Sequence, residues 1–104
     1  MKQITKIERS ALPPEFLTKL INDAKHFEPV EIVRLRTCNA TVENTLTHII
    51  LRSYGTIVAV IECDSGICFD VLRVVYGYTA TSAQHIAKFI KDYNPYIAKV
   101  IRVI

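Results

Sequence analysis

The sequence predicts an α+β fold: an antiparallel sheet of four to six strands with two helices packed on one face. Three observations carry that expectation. Residues 45–76 hold three apolar runs, separated by Ser53-Tyr54-Gly55 and Asp64-Ser65-Gly66. Two other segments repeat apolar side chains at helical spacing. The composition is that of an ordinary globular chain, with 50% apolar and 22% charged residues, neither disordered nor collagen-like. At 104 residues the chain suits one domain, residues 1–104, around one core, with no room for a two-lobed enzyme.

The first helix is expected over residues 13–27. Pro13-Pro14 suits a helix start, where a missing N–H is harmless, and Glu15 complements the helix dipole. Phe16, Leu17, Leu20, Ile21, Ala24 and Phe27 form its apolar stripe, and Pro29 stops it. Residues 30–37 read as a strand rich in Val and Ile. Residues 38–44 read as a polar break, with a turn around Asn39.

Each separator in the block 45–76 fits a three-residue hairpin loop, a type I turn followed by a left-handed Gly. That register pairs Cys63 with Ile67 and Arg52 with Thr56. It collects Ile49, Leu51, Ile57, Ala59, Ile61, Cys63, Ile67, Phe69, Val71 and Val75 on one face, interrupted only by Arg73 and the Thr residues of the first strand. A two-residue Ser65-Gly66 loop would instead bring Asp70 into the Ala59/Ile61 face. The three-residue loops win on burial, since each buried aliphatic side chain is worth roughly 1.5–3 kcal/mol. The chosen register also points Cys63 and Cys68 to opposite faces, away from a disulfide.

The second helix is expected over residues 82–93, with Thr81 as N-cap and Gln84 completing a capping box. Ala83, Ile86, Phe89, Ile90 and Tyr93 form its stripe. In residues 96–104, Ile97, Val100, Ile101 and Ile104 have helical spacing, but the β-branched content favours a strand. Residues 4–8 are a further strand that could pair with it.

Charge and targeting signals narrow the setting. There are 13 Lys+Arg against 10 Asp+Glu, a net +3, with both signs interspersed. That balance permits nucleic acid without demanding it. Residues 1–9 lack the apolar core of a signal peptide. The longest apolar runs, 57–61 and 74–76, fall far short of the roughly 20 residues of a membrane span. Three Cys are too few for a disulfide scaffold. The expectation is a reducing, cytoplasmic setting without membrane contact.

Two segments carry a resemblance. Ser53-Tyr54-Gly55-Thr56-Ile57-Val58-Ala59 and Tyr78-Thr79-Ala80-Thr81-Ser82-Ala83-Gln84-His85-Ile86-Ala87-Lys88-Phe89 resemble an uncharacterised small domain common in phage and mobile-element genomes. Its pattern is Ser-Tyr-x-Thr-x-Val-Ala, a short hairpin, then Tyr-Ser-x-Thr-Thr-x-x-His-Ile-x-x-Phe. The likeness spans about residues 45–90 and departs from the pattern at Thr79 and Ser82, each a hydroxyl swap. It implies a phage or prophage accessory protein, in a host cell, with a strand–strand–strand–helix unit. It implies no catalytic residues.

The chemistry-bearing residues point away from catalysis. His85 has no reaction partner placed by spacing, and packing near Tyr78 or Phe89 accounts for it. Tyr78, Thr79 and Thr81 make a hydroxyl-rich helix entry that could hold a phosphate or carboxylate, though a plain capped turn needs the same residues. Cys63-x4-Cys68 is the closest approach to a metal pair, and His26, His48 and His85 are scattered, so no metal is expected. Cys63 has no activating base nearby. No phosphate loop, nucleophile elbow or carboxylate pair appears, so neither a cofactor nor an enzyme activity is expected.

Two surfaces remain. The second sheet face carries an apolar centre of Ile50, Val58, Val60, Leu72 and Val74, rimmed by charges including Arg52. Either a helix or the terminal strands cover it, or it is a dimer or partner interface. These residues are the candidate partner-binding set of a non-enzymatic protein acting by stoichiometric binding, to a host or defence protein or to itself. The alternative is a nucleic-acid binder using Arg34, Arg36, Arg52 and Arg73. No aromatic pair accompanies these arginines, and Glu31, Glu62 and Asp70 interleave with them.

Overall fold

The structure, a computed structural model, describes residues 4–26, 28–35, 39–75, 77 and 79–104. The chain runs β1 (Ile4–Ile7), a 3-10 turn (Arg9–Ala11), α1 (Pro14–His26), β2 (Glu31–Arg34), β3 (Ala40–Asn44), β4 (His48–Ser53), β5 (Thr56–Glu62) and β6 (Ile67–Asp70). It continues through α2 (Leu72–Val75), α3 (Ala80–Asp92), a second 3-10 turn (Asn94–Tyr96) and β7 (Lys99–Val103). The fold is α+β, with one seven-stranded mixed sheet in the order β1-β7-β6-β5-β4-β3-β2.

The sheet corrects the expected strand count and the all-antiparallel pairing. Strands β2 to β6 form an antiparallel meander. β7 is parallel to β6, because α3 carries the chain back across the sheet between them, and β1 is parallel to β7. The segment read as a polar break holds β3, whose Val42 is fully buried. The tail is a strand, as its β-branched content indicates. Val100 packs towards one face and Ile101 towards the other. A strand buried on both sides reads as a continuous apolar run, which is how it came to mimic helical spacing.

The hairpin turns also differ from expectation. The β4–β5 turn has two residues, Tyr54 and Gly55, both at positive φ (53° and 83°), as a type I′ turn requires. A bulge then pairs Leu51 with Ala59 rather than the expected Ile57, which keeps Leu51 and Ala59 on one face and moves Ile57 to the other. The β5–β6 loop has four residues, closed by Gly66 N–H donating to Glu62 O at 2.8 Å. Gly66 has φ 72°, and a Cβ there would stand 3.0 Å from the Ala98 Cβ. Glu62 therefore pairs with Ile67 and Ala59 with Asp70.

Burial alone disfavours Asp70 on the Ala59 face, but Asp70 brings its own partners. Arg102 Nε donates to Oδ2 at 2.8 Å, and Leu72 N–H donates to Oδ1 at 3.2 Å.

These registers put the helices on opposite faces, not on one. α3 covers Ile49, Leu51, Ala59, Ile61, Cys68 and Val100 with Ile86 and Phe89. α1 covers the other face. Leu17 and Phe16 pack on Phe69 and Ile101, with the Phe16 and Phe69 rings 5.4 Å apart, and Ala24 packs over Ile50, Ile57 and Val60. α3 starts two residues earlier than expected. Its cap is Thr79, whose side chain accepts from Ser82 N–H at 3.2 Å.

Cys63 is exposed and Cys68 is buried, and both are free. Burial, with Asp70 adding to it, pushes the Cys68 thiol up to about 12 from an ordinary 9.0. In a Cys38→Ser background, a maleimide at pH 8 labels Cys63 in the native protein and Cys68 only after unfolding. Mass spectrometry of labelled peptides reads this directly. Because the unfolded chain releases the Cys68 proton first, stability falls as pH rises from about 9 towards 12.

Candidate functional site

The proposed partner-binding face is interior. Ile50, Val58 and Val60 are fully buried and Leu72 is 3% exposed. The bulge turns Val58 towards α3, while α1 covers Ile50 and Val60. Leu72 and Val74 lie in α2 rather than in a strand. Leu72 joins the α3-side core and Val74 the α1-side core. Arg52 is held by the Glu43 carboxylate and also donates to Gly55 O at 3.2 Å. The set thus lies in core and at its rim, not on an open face.

The two segments that carry the phage-domain resemblance fold onto each other. Ser53, at the end of β4, lies 2.8 Å from His85 Nδ1 and 2.9 Å from Ser82 Oγ. The Tyr54 ring sits 5.9 Å from the His85 ring. Ser53, Ser82 and His85 are all at least 96% buried. The cluster fastens the β4–β5 hairpin to α3. Tyr78 lies outside the described residues. Ser53→Ala removes one hydrogen bond from each of Ser82 and His85 and is expected to cost about 1–3 kcal/mol in chemical denaturation.

A cleft of about 200 Å³ opens at the C-terminal ends of β6 and β7, lined by Asp70, Leu72, Arg73, Ala83 and Arg102. Both Asp70 oxygens are engaged there by Arg102 and by the start of α2. Arg73 lines this cleft, whereas Arg34 and Arg52 lie in β2 and β4. Arg34 and Arg52 do share a cross-strand row, with Thr41 between them. Arg36 lies outside the described residues.

The most accessible apolar surface is at the far edge of the sheet. Every residue of β2 is exposed. Val30 is 67%, Ile32 63% and Val33 39% exposed, and Leu46 in the adjoining β3–β4 turn is 86% exposed. Leu35 N–H donates to Ala40 O at 2.9 Å, in the register that pairs Val33 with Val42 and Arg34 with Thr41. Antiparallel pairs alternate between bonded and non-bonded, so the backbone groups of Ile32 and Arg34 point away from β3. A cleft of about 310 Å³ flanks this edge, lined by Val33, Arg34, Leu35, Val42, Asp92 and Tyr93. Burial raises the Tyr93 hydroxyl above its ordinary range, opposed in part by a hydrogen bond with Asn44. The sequence does not mark this edge, because the polar residues of β3 read as a break and hide which strand is outermost.

Among the described residues no cluster of His, Cys, Asp and Glu could hold a metal, and no helix is long and apolar enough to cross a membrane. Comparison with protein-family models, with curated proteins and with solved structures returned no match.

Proposed function

We propose that this chain is a non-enzymatic, phage-type accessory protein that works in the cytoplasm by stoichiometric protein binding through the exposed edge of β2. One observation carries the reading. Both faces of the central strands are covered by the chain's own helices, while β2 at the edge presents outward backbone groups at Ile32 and Arg34 beside exposed Val30, Ile32, Val33 and Leu46. An open edge of this kind is a template for another strand. Glu31 and Arg34 are the charges that keep it from pairing indiscriminately.

Ile32→Pro tests the reading cleanly. It removes an outward N–H and leaves the β2–β3 bonds intact, as proline on an edge strand allows. Tagged protein captures a stoichiometric protein, either a host protein or an untagged second copy added to the nuclease-treated host lysate, and Ile32→Pro captures at least tenfold less while melting within a few degrees of the parent. Equal capture by both contradicts the edge. Loss of all captured material on nuclease treatment moves the site to the Arg34–Thr41–Arg52 row, and binding would then fall steeply with salt.

A further inference from the structure

We propose that the partner of β2 is β2 of a second copy, paired antiparallel about a two-fold axis at Val33. This rests on reading β2 as the binding edge and adds the identity and register of what binds there.

The register follows from the backbone. A two-fold axis perpendicular to the sheet keeps its faces continuous, so a residue can oppose only residues that share its face. Ile32 and Arg34 point their backbone groups outward, and Val30 does not: its N–H donates to Asn44 O at 2.7 Å. Centring the pair on Ile32 would set Arg34 against Val30, whose donor is already used. Centring it on Val33 sets Ile32 of each copy against Arg34 of the other. Every outward donor then meets an outward acceptor, giving about four inter-chain hydrogen bonds.

The side chains agree with that register. Val33 meets Val33, and Glu31 meets Leu35, so no like charges are opposed. Val33 and Val42 lie on the α3 side of the sheet, where each copy carries its cleft of about 310 Å³ walled by Leu35 and Tyr93. The axis brings these two clefts side by side and lets apolar surface from both copies close over them. A contact built on one short strand belongs to the small, reversible class of interfaces, with dissociation on the order of micromolar.

Cross-linking reads the register. Directly opposed residues at a non-hydrogen-bonded position have Cα atoms about 4.5 Å apart, within disulfide reach. In a Cys38→Ser, Cys63→Ser background, Val33→Cys is expected to form a covalent dimer on mild oxidation. Ile32→Cys, offset from its own symmetry mate, forms at least tenfold less. Light scattering of the unmodified chain is expected to move from monomer towards dimer mass across the micromolar range, and Ile32→Pro or Arg34→Pro shifts that transition at least tenfold higher. A monomer at every concentration, with protein capture still lost in Ile32→Pro, overturns the two-fold pairing and leaves the edge as a site for a different chain. A dimer that Ile32→Pro and Arg34→Pro leave unchanged overturns both readings.

Discussion

Val60→Arg unfolds the protein. Val60 is fully buried beneath Ala24 and Leu20 of α1, beside Ile50 and Ile57. An arginine there must either carry an unpaired charge into the core or lever α1 off the sheet. Burying an unpaired charge and overpacking a core are among the few mechanisms that cost more than about 4 kcal/mol. Whole-domain stability is about 5–15 kcal/mol, so the variant is expected to be largely unfolded at 37 °C. Circular dichroism melts and urea titrations check this. A variant that keeps its cooperative melt within a few degrees of the parent would show that α1 does not cover this face. Had the face been open, as its sequence pattern allowed, the same change would have altered association and spared the fold.

Arg102→Ala is expected to destabilise by roughly 2–3 kcal/mol. Its Nε donates to Asp70 Oδ2, and the Asp70 side chain is only 6% exposed. Removing one partner of a buried ion pair strands the other, at about 3–5 kcal/mol for a fully buried pair. The figure is reduced here because the Arg102 side chain is 27% exposed and solvent screens part of its charge. Adding Asp70→Asn is expected to restore at least half the loss. The amide keeps an oxygen for the Leu72 N–H and removes the stranded charge. A double-mutant cycle in urea measures this. Additive losses in the double variant would mean that the pair is not coupled.

The legible parts of the fold are those where local chemistry and tertiary packing agree. The boundaries of α1 fall within about a residue of Pro14 and His26, because proline punctuation and a single apolar stripe speak alike. The α3 stripe of Ala83, Ile86, Phe89, Ile90 and Tyr93 packs on the sheet as its spacing implies. The tail is a strand, as its β-branched content suggests, and it pairs with residues 4–7.

The layer arrangement was harder to read, for a physical reason. β5 is buried on both faces, so Ile57, Val58, Ala59, Val60 and Ile61 carry no inside–outside alternation to set a register. A bulge at one end and a four-residue loop at the other each shift the pattern by a residue, and a single shift swaps the faces. Asp70 then misled in the other direction. A carboxylate looks costly in a core until Arg102, 32 residues later in the chain, is seen to lie in the neighbouring strand.

The candidate site was legible only in pieces. Ser53, Tyr54 and His85 stand out in the sequence, and the structure joins Ser53 and His85 with Ser82 in a buried polar fastening, with the half-exposed Tyr54 ring beside it. The exposed edge was hidden because Val30, Ile32 and Val33 look like any core strand. What sets β2 apart is its place at the end of the sheet, which depends on the pairing of all seven strands.

Binding along β2, and not across a sheet face, is read out by residue-resolved hydrogen–deuterium exchange on the protein alone at nanomolar concentration and again with its binding partner. The Ile32 and Arg34 amides are expected to exchange freely in the isolated chain and to become protected on binding, with the amides of α1 and α3 unchanged. Protection gained over the outer surface of α1 or α3, with Ile32 and Arg34 still exchanging freely, would contradict it.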